Sequence, residues 1–422
     1  MWSVSEHLAD VLAHLRPLDP IELQLLDAQG CVLVEDVTVP VALPPFDNSS
    51  MDGYAVRAAD VATADEASPV VLRVVGDVAA GSGELPAVGP GEAARVMTGA
   101  PLPPGADTVV PVEWTDGGTG GGPASAMRAH SQDPAGASGR VRVHRPAAAR
   151  RHVRARGSDV GAGALALGAG TVLGAPQIGL LAAIGRASVR VHPRPRVVVL
   201  STGSELVPPG EELPPGRIHD SNSFQLTAAA RDAGALAYRV GAVPDDAETL
   251  RATVEDQLSR ADLLVTSGGV SVGAYDVVKE AMGEVAFRRL AMQPGKPQGF
   301  GLVGPDRIPL LALPGNPVSA YVSFELFARP AIRTLMGVPD VHRPTVRAVC
   351  PEGVASSPAG RRQFLRGRYE AQAPGEPGTV TPVGGAGSHL VAALAHANAL
   401  IVVPEEATGL APGEEVDVVL LT

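Results

Sequence analysis

Ala261-Asp-Leu-Leu-Val-Thr-Ser-Gly-Gly-Val-Ser-Val-Gly273 is an apolar run that opens into a glycine-rich loop, and a helical pattern resumes near Tyr275. A buried strand, a loop and a helix in that order suit an anion. Glycine lets backbone N–H groups approach the ligand, and the first helical turn adds unpaired donors. Four segments of related character lie on either side: Ser201-Thr-Gly-Ser-Glu205, Val243-Pro-Asp-Asp246, Gln293-Pro-Gly-Lys-Pro297 and Leu313-Pro-Gly-Asn-Pro317.

The surrounding periodicity explains why these segments belong together. Strands are expected at 196–200, 237–243, 262–265 and 308–313. Helices are expected at 220–233, 246–258, 275–282 and 318–336, the first capped by Ser221 or Asn222 and stopped at Gly234. Repeated β-α units with apolar strands predict a parallel sheet covered on both faces, with ligands outside the carboxyl ends of its strands. The fold class expected is a multidomain α/β chain whose central, doubly wound parallel-sheet domain is joined by β-rich inserted and C-terminal domains.

Residues 3–15 carry Val4, Leu8, Val11, Leu12 and Leu15 at helical spacing before Pro17. From 56 to 139 short β-runs alternate with Gly and Pro and no helix is evident; 70–75 and 106–113 are the clearest strands. Residues 116–140 lack periodicity and read as a surface loop. The arginine-rich stretch from Val141 to Arg156 reads as a strand with a solvated basic face or as a lip that attracts anions. Residues 160–185 carry no charge but contain seven glycines and Pro176. They therefore predict a turn, a short strand and a buried helix from Ala175 rather than a membrane span. After 340 the pattern returns to short strands. The domains expected are a discontinuous linking domain (1–50 and 140–190), an inserted β-rich domain (51–139), the α/β domain (191–338) and a C-terminal β domain (339–422).

At 422 residues, 45% hydrophobic and 19% charged, the chain has an ordinary globular composition. A formal charge of -11 and 3% aromatic residues argue against nucleic-acid binding. Cys31 and Cys350 stand far apart in sequence, as expected of a reducing, cytoplasmic setting, and no secretion signal is evident. Only two of the 34 basic residues are lysines, which draws attention to Lys296 in its Pro-Gly-Lys-Pro turn.

On this topology Glu205, Asp245, Asp246 and Asp276 converge on one end of the sheet. Mg²⁺ takes one or two carboxylates together with substrate oxygens, so Glu205, Asp245 and Asp276 are candidate ligands. Asp246 reads equally as an N-cap, and Asp276 as a charge complementing a helix start. Gly269-Val-Ser-Val-Gly273 also matches the G-x-S-x-G nucleophile elbow, but Ser267-Gly-Gly269 intervenes between the strand and Ser271, against a hydrolase. Leu313-Pro-Gly-Asn-Pro-Val-Ser-Ala320 offers a second anion pocket, unless Asn316 or Ser319 merely caps the helix.

Phe46-Asp-Asn-Ser-Ser-Met-Asp-Gly-Tyr-Ala-Val56, Arg95-Val-Met-Thr-Gly-Ala100, Ser201-Thr-Gly-Ser-Glu-Leu206, Ser267-Gly-Gly-Val-Ser-Val-Gly273, Pro294-Gly-Lys-Pro297 and Leu313–Ala320 together resemble the molybdopterin molybdenumtransferase family, MoeA, which is similar to the E domain of gephyrin. The motifs run in order over nearly the whole chain. The resemblance implies Mg²⁺-dependent insertion of molybdenum from molybdate into adenylylated molybdopterin with release of AMP. It implies a homodimer with an intersubunit site, and a molybdopterin adenylyltransferase as a possible partner. Carried over by motif, the functional acids are Asp52, Asp159, Glu205, Asp245 and Asp276, with Thr98 as a polar contact. Ser267, Gly268, Gly269, Ser271 and Gly273 would bind phosphate. Arg289, Lys296, Pro314, Gly315, Asn316, Pro317 and Ser319 would line the oxyanion end. Arg289 and Gln293 stand where some members have lysine; the first keeps the charge, the second loses it. The alternatives are a molybdopterin adenylyltransferase, whose similar domain usually stands alone, and a non-catalytic gephyrin-like scaffold, against which the retained carboxylates argue.

Overall fold

A computed structural model describes residues 1–127, 139–269, 277–373 and 375–421. The chain divides into two compact units, one of residues 1–35, 170–174 and 188 onward, the other of residues 36–169 and 175–187.

Helix α1 (Val4–Ala13) opens the first unit. A reciprocal capping box starts it: Ser3 Oγ accepts from the Glu6 N–H at 3.1 Å, and the Ser3 N–H donates to Glu6 Oε2 at 2.7 Å. Two of the first-turn donors that a helix leaves open are thereby used.

The second unit is built on a five-stranded sheet of β1 (Gly53–Val56), β2 (Val70–Val78), β3 (Glu92–Val96), β4 (Thr108–Pro111) and β5 (Arg140–Val143), in the order β4-β1-β3-β2-β5. Period-two alternation sends Tyr54, Val56 and Val110 to one buried face and Ala55, Ala94 and Val109 to the other. Strands form within or around the expected ranges, Val70–Val78 for 70–75 and the shorter Thr108–Pro111 for 106–113, but a one-turn helix, Ala58–Val61, lies where none was expected. Helix α2 (Ala175–Ala183) forms at the predicted place, yet among its residues only Leu181 is buried. The expectation of a buried helix is corrected: its apolar residues read as core in a one-dimensional pattern, but Ala175, Gly179, Ala182 and Ala183 are exposed.

In the first unit β6 (Arg196–Thr202), α3 (Asn222–Asp232), β7 (Leu236–Val243), α4 (Ala247–Leu258), β8 (Leu263–Ser267), α5 (Val277–Ala281), β9 (Ala286–Arg288), β10 (Gln298–Val303) and β11 (Ile308–Leu313) build a six-stranded sheet, ordered β7-β6-β8-β11-β10-β9. The four strands β7, β6, β8 and β11 are parallel, which places their carboxyl ends on one edge. Side-chain alternation splits the core in two. Val197, Val199, Leu263, Val265, Leu311 and Leu313 pack with α3. Val198, Leu200, Leu264, Leu310 and Ala312 pack with Leu250 and Val254 of α4. The inner strands β6, β8 and β11 are buried on both sides, which is why their runs are apolar, whereas the edge strand β7 exposes Leu236, Tyr238, Arg239 and Val240. The sheet departs from the all-parallel expectation at its far edge, where β9 and β10 run antiparallel. A short hairpin connection from β10 to β11 leaves no room for a crossover helix.

The predicted helix 318–336 is continuous but not uniform: α6 (Pro317–Ser323) passes through a π turn, Phe324–Ala328, into α7 (Arg329–Leu335). Strands β12 (Thr345–Cys350), β13 (Arg362–Glu370), β14 (Gly378–Pro382), β15 (Ala399–Val403) and β16 (Glu414–Leu420) follow, ordered β13-β14-β12-β16-β15, and β15 pairs back with β13. The ring is closed around Ala348, Cys350, Leu365, Val380, Ile401 and Val418, and closure removes the unpaired edges an open sheet would expose. Among the described residues no helix is long and apolar enough to cross a membrane.

Candidate functional site

Asp52 directly precedes β1 and Thr98 follows β3. The antiparallel register, with Gly53 opposite Val96, brings the two turns together. Asp52 Oδ1 accepts from the Thr98 N–H at 2.7 Å and from Thr98 Oγ1 at 2.9 Å. Only glycine fits at 53, since a Cβ there would lie 2.0 Å from the Val110 carbonyl oxygen. Behind the loop Asp47 accepts from Arg150 Nη1 at 2.5 Å and from the Arg156 N–H at 2.7 Å. The Arg150 bond, then the Arg156 N–H, hold its carboxyl below the usual range. Much of the basic run is thus occupied: Arg150 on Asp47, Arg145 on Glu66 at 3.1 Å, Arg151 over the Trp114 ring. Asp159 lies in the same unit with an exposed side chain; its N–H donates to the Leu43 carbonyl.

The parallel strands deliver the other candidates to one sheet edge. The Ser204 N–H donates to Asp245 Oδ2 at 3.0 Å, and the Asp245 N–H donates to Ser204 Oγ at 3.1 Å. This reciprocal pair ties the β6 and β7 loops together. Glu205 folds back over the same loop, its Oε2 only 2.6 Å from where a Cβ on Gly203 would stand. Asp246, by contrast, caps α4, accepting from the Thr249 N–H at 2.8 Å and Thr249 Oγ1 at 2.6 Å. Adjacent aspartates have therefore separated: one braces the loop, the other starts the helix.

At β8 the Ser267 hydroxyl donates to the Pro314 carbonyl at 3.2 Å. It accepts from Asn222 Nδ2 at 2.9 Å, and the same amide nitrogen lies 2.6 Å from the Gly315 carbonyl. By sequence Asn222 is a possible cap of α3. It instead bridges the glycine loop to the β11 turn, while Asp220 accepts the Ser223 N–H at 3.1 Å and caps α3. Gly268 has φ +94°, and a Cβ on it would meet the Thr202 carbonyl oxygen at 2.4 Å; a Cβ on Gly269, at φ +65°, would lie 2.9 Å from the Thr202 hydroxyl. Both features require glycine. Ser271, Gly273 and Asp276 lie outside the described residues. Pro314 and Ser319 are buried, Pro317 is half-buried, and Gly315 and Asn316 are exposed. Asn316 stands at the N-cap position of α6 without a side-chain capping bond, so the capping alternative does not hold for it.

Lys296 is half-buried, and burial lowers its pKa, helped by Arg361 and then Arg289. Arg361 and Arg289 thus bear on a lysine whose turn Gln298 pins to α6, its Nε2 donating to the Gly295 carbonyl at 2.5 Å and to Ser323 Oγ at 2.6 Å. Arg361 was not anticipated, because it precedes a strand of the C-terminal ring and no local motif marks it. Among the described residues no group of three His, Cys, Asp or Glu side chains is arranged around a metal position. Glu205 and Asp245 flank one loop, so they are two carboxylates that could hold Mg²⁺, an ion that commonly takes one or two beside substrate oxygens.

Comparison with known proteins agrees along the whole chain. Residues 2–185 match the family described as MoeA N-terminal region (domain I and II), residues 198–334 the probable molybdopterin binding domain, and residues 347–421 the MoeA C-terminal region (domain IV). Molybdopterin molybdenumtransferase 2 of Mycobacterium tuberculosis is 44% identical over 431 residues, covering 100% of both chains. Molybdopterin molybdenumtransferase of Bacillus subtilis is 34% identical, covering 94% of this chain and 89% of its own. A solved molybdopterin biosynthesis MoeA protein from Pyrococcus horikoshii superposes with a TM-score of 0.72 at 28% identity, covering 100% of both chains. The chain belongs to the molybdopterin molybdenumtransferase (MoeA) family.

Proposed function

We propose that the chain inserts molybdenum from molybdate into adenylylated molybdopterin and releases AMP. Both substrates are anions, and bringing them together requires fixed positive potential and backbone donors on a rigid frame. The observation that carries the reading is the cation group of Lys296, Arg361 and Arg289 in the unit that also bears the glycine loop. A lysine whose charged form is disfavoured is stabilised by an arriving oxyanion. The Gly268–Gly269 backbone would receive the phosphate, and Glu205 and Asp245 would hold Mg²⁺. That ion would neutralise charge on the leaving AMP phosphate. Asp52, fixed by Thr98, and Asp159 would act on the substrate as acceptors or proton handlers.

The reading includes a homodimer with an intersubunit site. The small exposed residues of α2 (Ala175, Gly179, Ala182, Ala183) support a second copy packing there. A molybdopterin adenylyltransferase is the class of enzyme that would supply the substrate. Lys296→Ala should raise the molybdate KM by about tenfold or more, the scale of losing one charge-assisted contact. An unchanged molybdate KM in the folded variant would remove Lys296 from the oxyanion site.

A further inference from the structure

A cavity of about 360 Å³ lies between α3, α6, the short helix Val391–Ala395 and Leu421 near the chain end. All of its walls belong to the first unit. One wall is apolar and includes Leu394, Ala395 and Leu421. The other is polar: Gln225 and Asp232 stand on one face of α3, two turns apart, and Tyr321 reaches in from α6. Among the described residues no lysine or arginine lines it.

The polar wall offers acceptors that nothing fills. Gln225 Oε1 is buried without a hydrogen-bond partner among the described residues. The Tyr321 hydroxyl is bonded to Glu325, and burial, then the Glu325 charge, raises its pKa. It therefore stays protonated, gives its proton to that carboxylate, and has only lone pairs left for other partners. Arg343, the arginine on which Asp232 acts through space, already spends its fork on Glu325 at 2.8 and 3.2 Å. Asp232 itself is the last residue of α3, where a carboxylate meets the negative end of the helix dipole and a cation is favoured. A local rule broken at a cavity wall, with no compensating contact, is the mark of a functional position.

We propose that the cavity binds a planar ligand with an amidine-like N–C–N donor edge. Asp232 accepts two parallel N–H bonds from that edge, as a carboxylate does from a guanidinium. Gln225 Oε1 takes a further donor, and the apolar wall covers the face of the ring. Two sources carry such an edge: the 2-aminopyrimidinone of the pterin in the proposed substrate, and a separate amidine or guanidine. Only the first rests on the functional reading above. Ser221 also lines the cavity and precedes Asn222, whose amide bridges Ser267 to the Gly315 carbonyl. A filled cavity therefore braces the start of α3 beside that bridge.

The test is a ligand-observed NMR titration of the full-length chain with benzamidine and with free pterin, repeated on Asp232→Asn and Gln225→Leu. Benzamide, which lacks the paired donors, is the control. At least one of the two probes should bind the parent, and benzamide should not. Asp232→Asn should weaken that binding about tenfold or more, the scale of a lost charge-assisted pair, and Gln225→Leu about threefold. Asp232→Asn removes a charge opposed to the helix dipole, so it should melt no lower than the parent, and lost binding is then not lost fold. Failure of both probes, or equal affinity in the parent and Asp232→Asn, overturns the proposal and leaves the cavity to water. Steady-state AMP release assigns the source. A KM for adenylylated molybdopterin raised about tenfold in Asp232→Asn, with competitive inhibition by free pterin, assigns the edge to the substrate. An unchanged KM assigns it to a separate ligand. Should the parent release no AMP while Asp232-dependent binding persists, the functional reading falls and the site stands.

Discussion

Lys296 is the residue at which charge and chemistry are most closely coupled. Burial, then Arg361 and Arg289, lowers its pKa from the usual lysine value, so the folded chain gives up this proton more readily than an unfolded one. A bound oxyanion favours the charged form and reverses the shift. Molybdate affinity is therefore expected to hold at neutral pH and to fall as pH rises through the lowered lysine pKa. In Lys296→Arg the alkaline fall should disappear, because a guanidinium keeps its charge throughout. Binding measured from pH 7 to 10 checks this; an alkaline fall equal in both proteins would contradict it. The neighbouring aspartates make a second contrast. Asp245→Ala should cut turnover about tenfold or more, as loss of a metal-linked group does. Asp246→Ala should lower thermal stability by loss of a cap and leave turnover near the parent value. The sequence could not separate them, since a cap and a ligand are the same residue type at the same kind of turn.

At the scale of elements, the strand-to-loop sequence was legible because burial on both faces forces unbroken apolar runs, and every such run from 196 to 313 ends in glycine, proline or a carboxylate. The far edge of the sheet was not legible. Gln298–Val303 is a strand interrupted by glycines at 299 and 301, where a Cβ on either would fall within 2.8 Å of neighbouring atoms. Its signal is close packing rather than apolar periodicity. The π turn inside the 317–335 helix left no mark either, since an extra residue per turn alters packing without altering composition. That turn meets α1 through His7, which is fully buried, packs edge-on against Phe327, and has no partner for either ring nitrogen among the described residues. Burial, aided by Arg288 and opposed by Asp10, pushes its pKa down to about 4. The folded imidazole stays neutral while an unfolded one protonates near 6.5, so the unfolded state binds the extra proton between those values. Stability should therefore decline as pH falls from 6.5 to 4, by up to about 3 kcal/mol for this group. His7→Leu should remove that part of the acid limb in thermal melts at pH 7 and 5. An identical decline in both proteins would clear His7 of it.

For the whole molecule, the legible part was the family pattern of ordered motifs, and the hidden part was whatever depends on distant segments meeting. Asp52 and Thr98 are 46 residues apart and meet through a strand register. Arg361 and Arg366 belong to the C-terminal ring, yet one bears on Lys296 and the other holds a loop against the helix after β11. If the site is shared between the subunits of a homodimer, Asp52→Ala mixed with Glu205→Ala should regain activity in verified heterodimers, and no recovery would count against a shared site. The central claim is tested most directly by AMP release from adenylylated molybdopterin with Mg²⁺, in the presence and absence of molybdate. The account predicts that molybdate stimulates AMP release and that active molybdenum cofactor forms in step with it. Substrate binding with no molybdate-dependent AMP release, where a control molybdenumtransferase turns over, would contradict it.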